Sequence, residues 1–362
     1  MNLDQLRDRL NELDAQMIDL VAERLAVVER IGELKRSEHR PTRDFAREKQ
    51  VIEQARARAD GRGVPPALAD GIMRLLIHSS LANQEQARVR AEGQGQGQLA
   101  LVIGGAGKMG RWFTSFLQSQ GYAVTVADPA GSVGDCPWLA DWRAAAGDWA
   151  ITVVAAPLGH TATVLDEFED VARFGLVFDI GSLKSPLVDS LRRLAARGAR
   201  VTSLHPMFGP DTQLLSGRHV LFLDVGCAEA TREARALFAS TMAEQIEMDI
   251  DEHDRLIAYV LGLSHALNIA FFTALAESGE SLPRLANLSS TTFDAQLDVA
   301  ARVAGESPQL YFEIQSLNPH GLLPLQELLA AMGRISDIVR NKDEAAFVAL
   351  MEKGREYLAR RA

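Results

Sequence analysis

Leu99-Ala100-Leu101-Val102-Ile103-Gly104-Gly105-Ala106-Gly107-Lys108-Met109-Gly110 decides the fold. Its five leading apolar residues run without polar interruption, as in a strand covered on both faces. A GxGxxG spacing follows at once, and an apolar-faced stretch from Trp112 to Gln118 reads as the next helix. In that context Gly105 is read as permitting the tight turn and Gly107 as removing the side chain that would block a pyrophosphate. Gly110 is read as letting helix and strand pack closely. The helix opens at Lys108 and Met109, so its N-terminus faces the phosphates. Asp128 closes the next apolar run, placed to accept hydrogen bonds from ribose hydroxyls and to repel a 2′-phosphate, and no Arg follows it until Arg143. NAD is expected rather than NADP; the alternative is a glycine-rich turn with no ligand.

Outward from this stretch, short apolar runs recur at Ala123 to Ala127, Ala150 to Ala155, Leu176 to Ile180 and Arg200 to Leu204. Helical stretches at Thr161 to Phe174 and Pro186 to Arg197 lie between them, the alternation of a doubly wound parallel sheet. His219 to Val225 and Gln245 to Ile250 are expected to extend that sheet. After Asp251 the strands cease, and Leu256 to Ala276, Leu285 to Val303, Leu322 to Val339 and Glu344 to Leu358 have helical spacing. Upstream, residues 3 to 36 form one long predicted helix with apolar side chains at 3, 6, 10, 13, 17, 20, 27, 31 and 34. Pro41 stops it, a second helix is expected from Asp44 to about Ala59, and Pro65-Pro66 start a third reaching about Arg90. Gly93-Gln94-Gly95-Gln96-Gly97-Gln98 reads as a linker without packing side chains. The expected division is therefore 1–92 helical, 93–98 linker, 99–250 nucleotide-binding and 251–362 helical.

Composition excludes several classes. A chain of 362 residues with 47% hydrophobic residues can fill several cores. A net charge of −10 and the lack of an aromatic and basic stripe argue against nucleic acid. Residues 1–92 are nevertheless balanced, with 16 Lys and Arg against 16 Asp and Glu, so the acidic surplus lies downstream. Cys136 and Cys227 have neither disulfide-framework nor zinc spacing, so no metal is expected and a reducing cytoplasm fits. Asp4, Arg7 and Asp8 interrupt any export signal. Leu256 to Leu275 has no Asp, Glu, Lys or Arg, but Ser264, His265, Asn268 and Thr273 within it favour a buried helix over a membrane span.

Leu204-His205-Pro206-Met207-Phe208-Gly209-Pro210 is read as a loop at the carboxyl end of the sheet, where an imidazole can hold a proton poised for transfer. The bland reading is a histidine at a strand end. Gly181-Ser182-Leu183-Lys184 closes the preceding strand at the same end of the sheet, bringing Ser182 and Lys184 to the position where such folds bind ligands. This arrangement, with a helical region behind it, resembles prephenate dehydrogenase from about Leu99 onward. The resemblance implies that a neutral His205 accepts a hydrogen bond from the ring hydroxyl of prephenate while hydride leaves that carbon for NAD and carbon dioxide is lost. It implies that Arg302 grips a substrate carboxylate, the alternative being a solvated helix cation, and that Ser182 and His265 lie near the pocket. By default, a histidine in so apolar a helix is a satisfied core residue. Asp294 departs from the pattern: some two-domain relatives carry an arginine at roughly that place, which bears on substrate contacts and on tyrosine as a feedback inhibitor.

In the first helix the seven-residue register is broken by Arg24, which calls for either a buried ion pair with an internal acid or an anionic ligand. Lys35 is three turns on, roughly 16 Å along the same face. Arg7 lies roughly 42 Å from Lys35 along the axis and could join that site only from an antiparallel second chain. With Asp44, Arg47, Glu48, Ser80 and Gln84, these positions resemble the all-helical chorismate mutase family. There the cations clamp two carboxylates of chorismate, and a glutamate and a glutamine hydrogen-bond near the ether oxygen, so Lys35, Glu48 and Gln84 would be catalytic. The whole chain thus resembles the bifunctional chorismate mutase/prephenate dehydrogenases. That implies a multidomain fold: an all-α mutase-like domain, an α/β Rossmann domain and an all-α C-terminal dimerisation domain. The implied partners are chorismate, prephenate and a second copy of the chain, with no membrane. Two other readings fit the same residues: another NAD-dependent oxidoreductase, of imine or hydroxy-acid type, whose N-terminal helices only dimerise, and a non-catalytic NAD sensor.

Overall fold

The computed structural model describes residues 2–168 and 171–360. By internal contacts the chain divides into two compact units, Met1–Ala156 with Thr163–Ile180 and Ser190–Met248, and Pro157–Ala162 with Gly181–Asp189 and Asp249–Ala362.

The first unit opens with three helices, α1 Leu3–Ser37, α2 Phe45–Asp60 and α3 Pro66–Glu92. Asn2 and Gln5 form a reciprocal capping box on α1, Asp44 caps α2 through the Arg47 N–H, and Pro66 occupies the first turn of α3. The apolar row of α1 is exposed in the single chain, from Leu3 at 63% to Leu34 at 59%. The glycine-rich segment after α3 is not a loose tether. Gly95 and Gly97 donate to the carbonyls of Gln120 and Gly121, and a Cβ on Gly93 would lie 2.6 Å from the Gln120 oxygen. These glycines serve close backbone approach, a correction to the expectation of an unpacked linker.

An eight-stranded sheet follows in the order β3-β2-β1-β4-β5-β6-β7-β8. Its strands are β1 Leu99–Ile103, β2 Ala123–Ala127, β3 Trp138–Leu139, β4 Ile151–Val154, β5 Leu176–Asp179, β6 Arg200–Pro206, β7 His219–Asp224 and β8 Glu244–Asp249. The first six run parallel, and β7 turns antiparallel to β6. Strands β1, β4 and β5 are buried almost throughout, matching their largely apolar runs. The helices are α4 Lys108–Ser119, α5 Leu158–Asp166, α6 Val188–Ala196 and α7 Ala228–Ala236, the last not anticipated. The helix expected across 161–174 is α5 followed by a 3-10 turn at Val171–Phe174; Glu169 and Asp170 lie outside the described residues. The core stacks Phe113, Phe116, Phe178, Phe222 and Phe238 between the sheet and its helices.

The second unit is helical. Helix α8 Ile250–Ile257 passes through π turns at Ala258–Leu263 into α9 Ser264–Glu277, and α10 Leu282–Asn287, α11 Thr291–Ala304, α12 Pro308–Ser316, α13 Leu322–Asn341 and α14 Glu344–Ala359 follow. The single helix expected over 285–303 is broken at 288–290, where the Ser290 hydroxyl accepts the Phe293 N–H and caps α11. The continuous helix 250–277 is long and apolar enough to cross a membrane by length and composition, and only 22% of its most apolar window is buried. The expected burial is therefore corrected: Leu256, Val260 and Leu267 face outward in the single chain.

Candidate functional site

Helices α1, α2 and α3 line a cavity of about 700 Å³. It brings together Arg24, Lys35, Asp44, Arg47, Glu48, Ser80 and Gln84, residues spread over sixty positions of sequence. Arg24 enters from α1, and its guanidinium donates to the Ser80 hydroxyl at 2.6 Å and the Leu76 carbonyl at 3.3 Å. Among the described residues no carboxylate pairs with it, so of the two readings of Arg24 the internal ion pair is absent. Partial burial lowers the pKa of that guanidinium, because desolvation disfavours its charged form. Lys35 donates to the Thr42 carbonyl at 2.7 Å, and Gln84, buried, donates to the Val28 carbonyl at 3.1 Å. Arg47 bonds Gln50 at 2.6 Å. Glu48 is gripped through both oxygens by Arg43, at 2.9 and 3.0 Å. Arg7 lies outside the cavity, exposed and within 3.6 Å of Asp4.

At the carboxyl end of β1 the glycines divide their labour differently from the expectation. Gly104, not Gly105, takes the left-handed conformation, with φ of +80°. Gly105 instead lies against Val126, where a Cβ would fall 2.6 Å from a side-chain methyl. Gly110 does hold α4 against the turn: a Cβ there would lie 2.7 Å from Gly105 Cα and nearer still to the Gly104 oxygen. Gly107 is the N-cap of α4 and, having no side chain, gives the first turn that begins at Lys108 and Met109 no side-chain cap of its own. Buried Asp128 accepts the Ala106 and Ala130 N–H groups at 3.0 and 2.8 Å, tying the acidic residue to the glycine turn. A cradle that any Cβ would fill, an uncapped helix start and a carboxylate beside them fit a dinucleotide.

His205 is buried and sits inside β6, opposite Leu221, rather than in a loop. The antiparallel partner β7 extends the pairing to Pro206, so the ladder with β7 fixes its backbone. The loop proper runs from Met207 to Arg218.

In the second unit Ser182 is half-buried and Lys184 fully buried. Asp254, which sequence reasoning missed, organises this segment by accepting the Lys184 and Ser185 N–H groups at 2.9 and 2.7 Å and the His253 ring at 2.6 Å. Burial alone would raise its carboxyl, but the bonds from His253, Ser185 and Lys184 outweigh it and hold the group at about 2. Nothing local in the sequence marks Asp254, whose partners Lys184 and Ser185 lie some seventy residues upstream. His265, on α9, packs its ring 4.2 Å from that of Tyr311, and its Nδ1 has no partner among the described residues. It is therefore not the satisfied core histidine of the default reading, and burial lowers its pKa. Arg302 is exposed in the last turn of α11, with no hydrogen bond or ion pair among the described residues, and Asp294 accepts the Ser289 hydroxyl at the start of that helix.

The sequence matches three family models: chorismate mutase type II over residues 6–85, the prephenate dehydrogenase nucleotide-binding domain over 139–225 and the prephenate dehydrogenase dimerization domain over 249–353. A T-protein of Enterobacter agglomerans is 27% identical over 96% of this chain and 90% of its own. A 4-amino-4-deoxyprephenate dehydrogenase of Streptomyces pristinaespiralis is 33% identical over 71% of this chain and 90% of its own. Among solved structures, prephenate dehydrogenase from A. aeolicus in complex with hydroxyphenyl propionate and NAD+ superimposes with a TM-score of 0.57 at 17% identity. It covers 72% of this chain and 98% of that one, a likeness of fold. With a cation-lined cavity in its first three helices and a glycine cradle in the sheet that follows, the chain belongs to the prephenate dehydrogenase family, in the bifunctional form that carries a type II chorismate mutase ahead of the nucleotide-binding domain.

Proposed function

We propose that this chain rearranges chorismate to prephenate within residues 1–92 and converts prephenate to 4-hydroxyphenylpyruvate with NAD within residues 99–362, consecutive steps of tyrosine biosynthesis. One observation carries the first half: a half-buried guanidinium, Arg24, lines a helical cavity with Lys35 and Arg47 and has no carboxylate partner among the described residues.

The rearrangement is pericyclic and needs neither nucleophile nor metal, so restraint and electrostatics supply the acceleration. In this reading Arg24 and Arg47 bind the two carboxylates, and Ser80 holds Arg24 in place. Lys35 and Gln84 donate toward the ether oxygen as charge grows there, and Glu48 and Asp44 bind the polar edge of the ring. Arg7 completes the cage from a second copy. That copy also covers the exposed leucines of α1 and the apolar face of α9, so the working species is a cytoplasmic homodimer rather than a membrane protein. In the second reaction NAD supplies the hydride acceptor. His205 takes a hydrogen bond from the ring hydroxyl and accepts its proton, Arg302 holds a carboxylate, and Ser182, Lys184 and His265 orient the substrate. Tyrosine as feedback inhibitor belongs to the same proposal.

Chorismate incubated with enzyme alone should be consumed, and prephenate with NAD should yield reduced cofactor. Arg24→Ala should abolish the first reaction and spare the second. Unchanged chorismate with the wild-type chain rejects the mutase, and no reduced cofactor from prephenate rejects the dehydrogenase.

A further inference from the structure

Glu48 does not stand alone in the mutase cavity. Its carboxylate is held in a two-pronged pair by Arg43 Nε and Nη2, and the remaining Nη1 of the same guanidinium donates to the Ser216 hydroxyl at 2.6 Å. Ser216 is 173 positions away, in the loop between β6 and β7 that begins directly after His205-Pro206. The three nitrogens of the fork are thus all committed, two to Glu48 and one to the nucleotide-binding domain. Because the fork is planar and rigid, fixing its third corner fixes the plane in which it presents Glu48.

The loop has a second hold on the same cavity. Glu85, next to cavity-lining Gln84 on α3, is buried and accepts the backbone N–H of Leu215 at 2.7 Å and that of Met242. Leu214 packs against Leu81 and Ala82 of the same helix. Loop 207–218 therefore grips α3 through Glu85 while it reaches Arg43 through Ser216, so its position relative to the cavity is determined.

We propose that Ser216 is a positioning residue of the mutase: a hydroxyl of the dehydrogenase's β6–β7 loop that, through Arg43, orients the Glu48 carboxylate toward the substrate. The inference rests on the assignment of Glu48 to the mutase reaction. It makes the mutase site a composite of helical and nucleotide-binding regions, joined by the loop that starts at the dehydrogenase histidine. As the ether oxygen gains electron density the ring fragment loses it, so a carboxylate held at the polar edge of the ring interacts more favourably in the transition state, and a group that orients Glu48 there should affect turnover more than substrate binding.

The test uses the full chain and chorismate. Ser216→Ala should lower mutase kcat roughly 5- to 20-fold with KM for chorismate held within about twofold, at an unchanged thermal midpoint. Ser216→Thr, which keeps the hydroxyl, should restore most of the turnover. In an Arg43→Gln background, Ser216→Ala should have no further effect, since its path to Glu48 is already cut. Turnover of Ser216→Ala within twofold of wild type overturns the proposal while Glu48→Gln is impaired. Equal loss in the Ala and Thr variants, or an undiminished loss in the Arg43→Gln background, overturns it too. Full turnover in Glu48→Gln removes the underlying assignment and the proposal with it.

Discussion

Replacing Gly110 by alanine tests the nucleotide cradle by geometry alone. The added Cβ would stand 2.7 Å from Gly105 Cα, about 0.8 Å inside the ~3.5 Å at which carbon atoms meet comfortably, and closer still to the Gly104 oxygen. All the atoms in the way are backbone, so no rotamer can yield; α4 must retreat from the β1 turn by something close to that overlap. Forced overpacking costs about 1–3 kcal/mol, and a rigid backbone contact belongs at the upper end. At roughly 2–4 °C per kcal/mol, the midpoint should fall by roughly 6–12 °C. The same retreat pulls the uncapped start of α4 off the phosphates, so NAD affinity should drop by more than tenfold. Gly107→Ala is the matched control: its Cβ meets only the Gly104 oxygen, at 3.3 Å, a contact that a small adjustment relieves. That variant should melt near the wild type and lose NAD affinity only because a methyl enters the pyrophosphate path. Calorimetric unfolding and NAD titration of both proteins check this. A Gly110→Ala protein that melts within 1 °C of wild type and binds NAD equally well would refute the argument.

Three further outcomes follow from the site. His205→Asn should retain prephenate affinity while dehydrogenase turnover falls roughly 10²- to 10⁴-fold, the worth of a proton acceptor; steady-state kinetics decide, and intact turnover removes His205 from its role. Arg302→Ala should raise the KM for prephenate about 10- to 100-fold with kcat largely kept, as expected for loss of a charge-assisted bond; an unaltered KM would return Arg302 to an ordinary solvated cation. Asp254, held at about 2 against an ordinary 3.8, contributes stability above pH 4 that fades as pH falls through 2. That contribution is roughly 2 kcal/mol, so urea unfolding of Asp254→Asn should show lower stability than wild type at pH 7 and a flatter dependence between pH 4 and pH 2. Parallel pH profiles for the two proteins would contradict it.

Local pattern was enough for much of this protein. Short, mainly apolar runs identified β1, β2, β4, β5 and β6, since strands covered on both faces show little polar alternation. Helical spacing with Pro41, Pro66 and Asp44 delimited α1 to α3, because caps and breakers act within a turn. The lone charge at Arg24 marked the cavity because any break in a repeating register is visible in one dimension. Tertiary structure decided what depends on partners distant in sequence. The antiparallel β7 drew His205 into a strand, and the approach of Ala155 to the β1 turn placed the left-handed residue at Gly104. Contact with Gln120 and Gly121 turned the glycine linker into a packed seam. The bonds Glu85 to Leu215 and Arg43 to Ser216 span 130 and 173 positions, and a hydrogen bond closed over such a distance leaves no periodicity behind it.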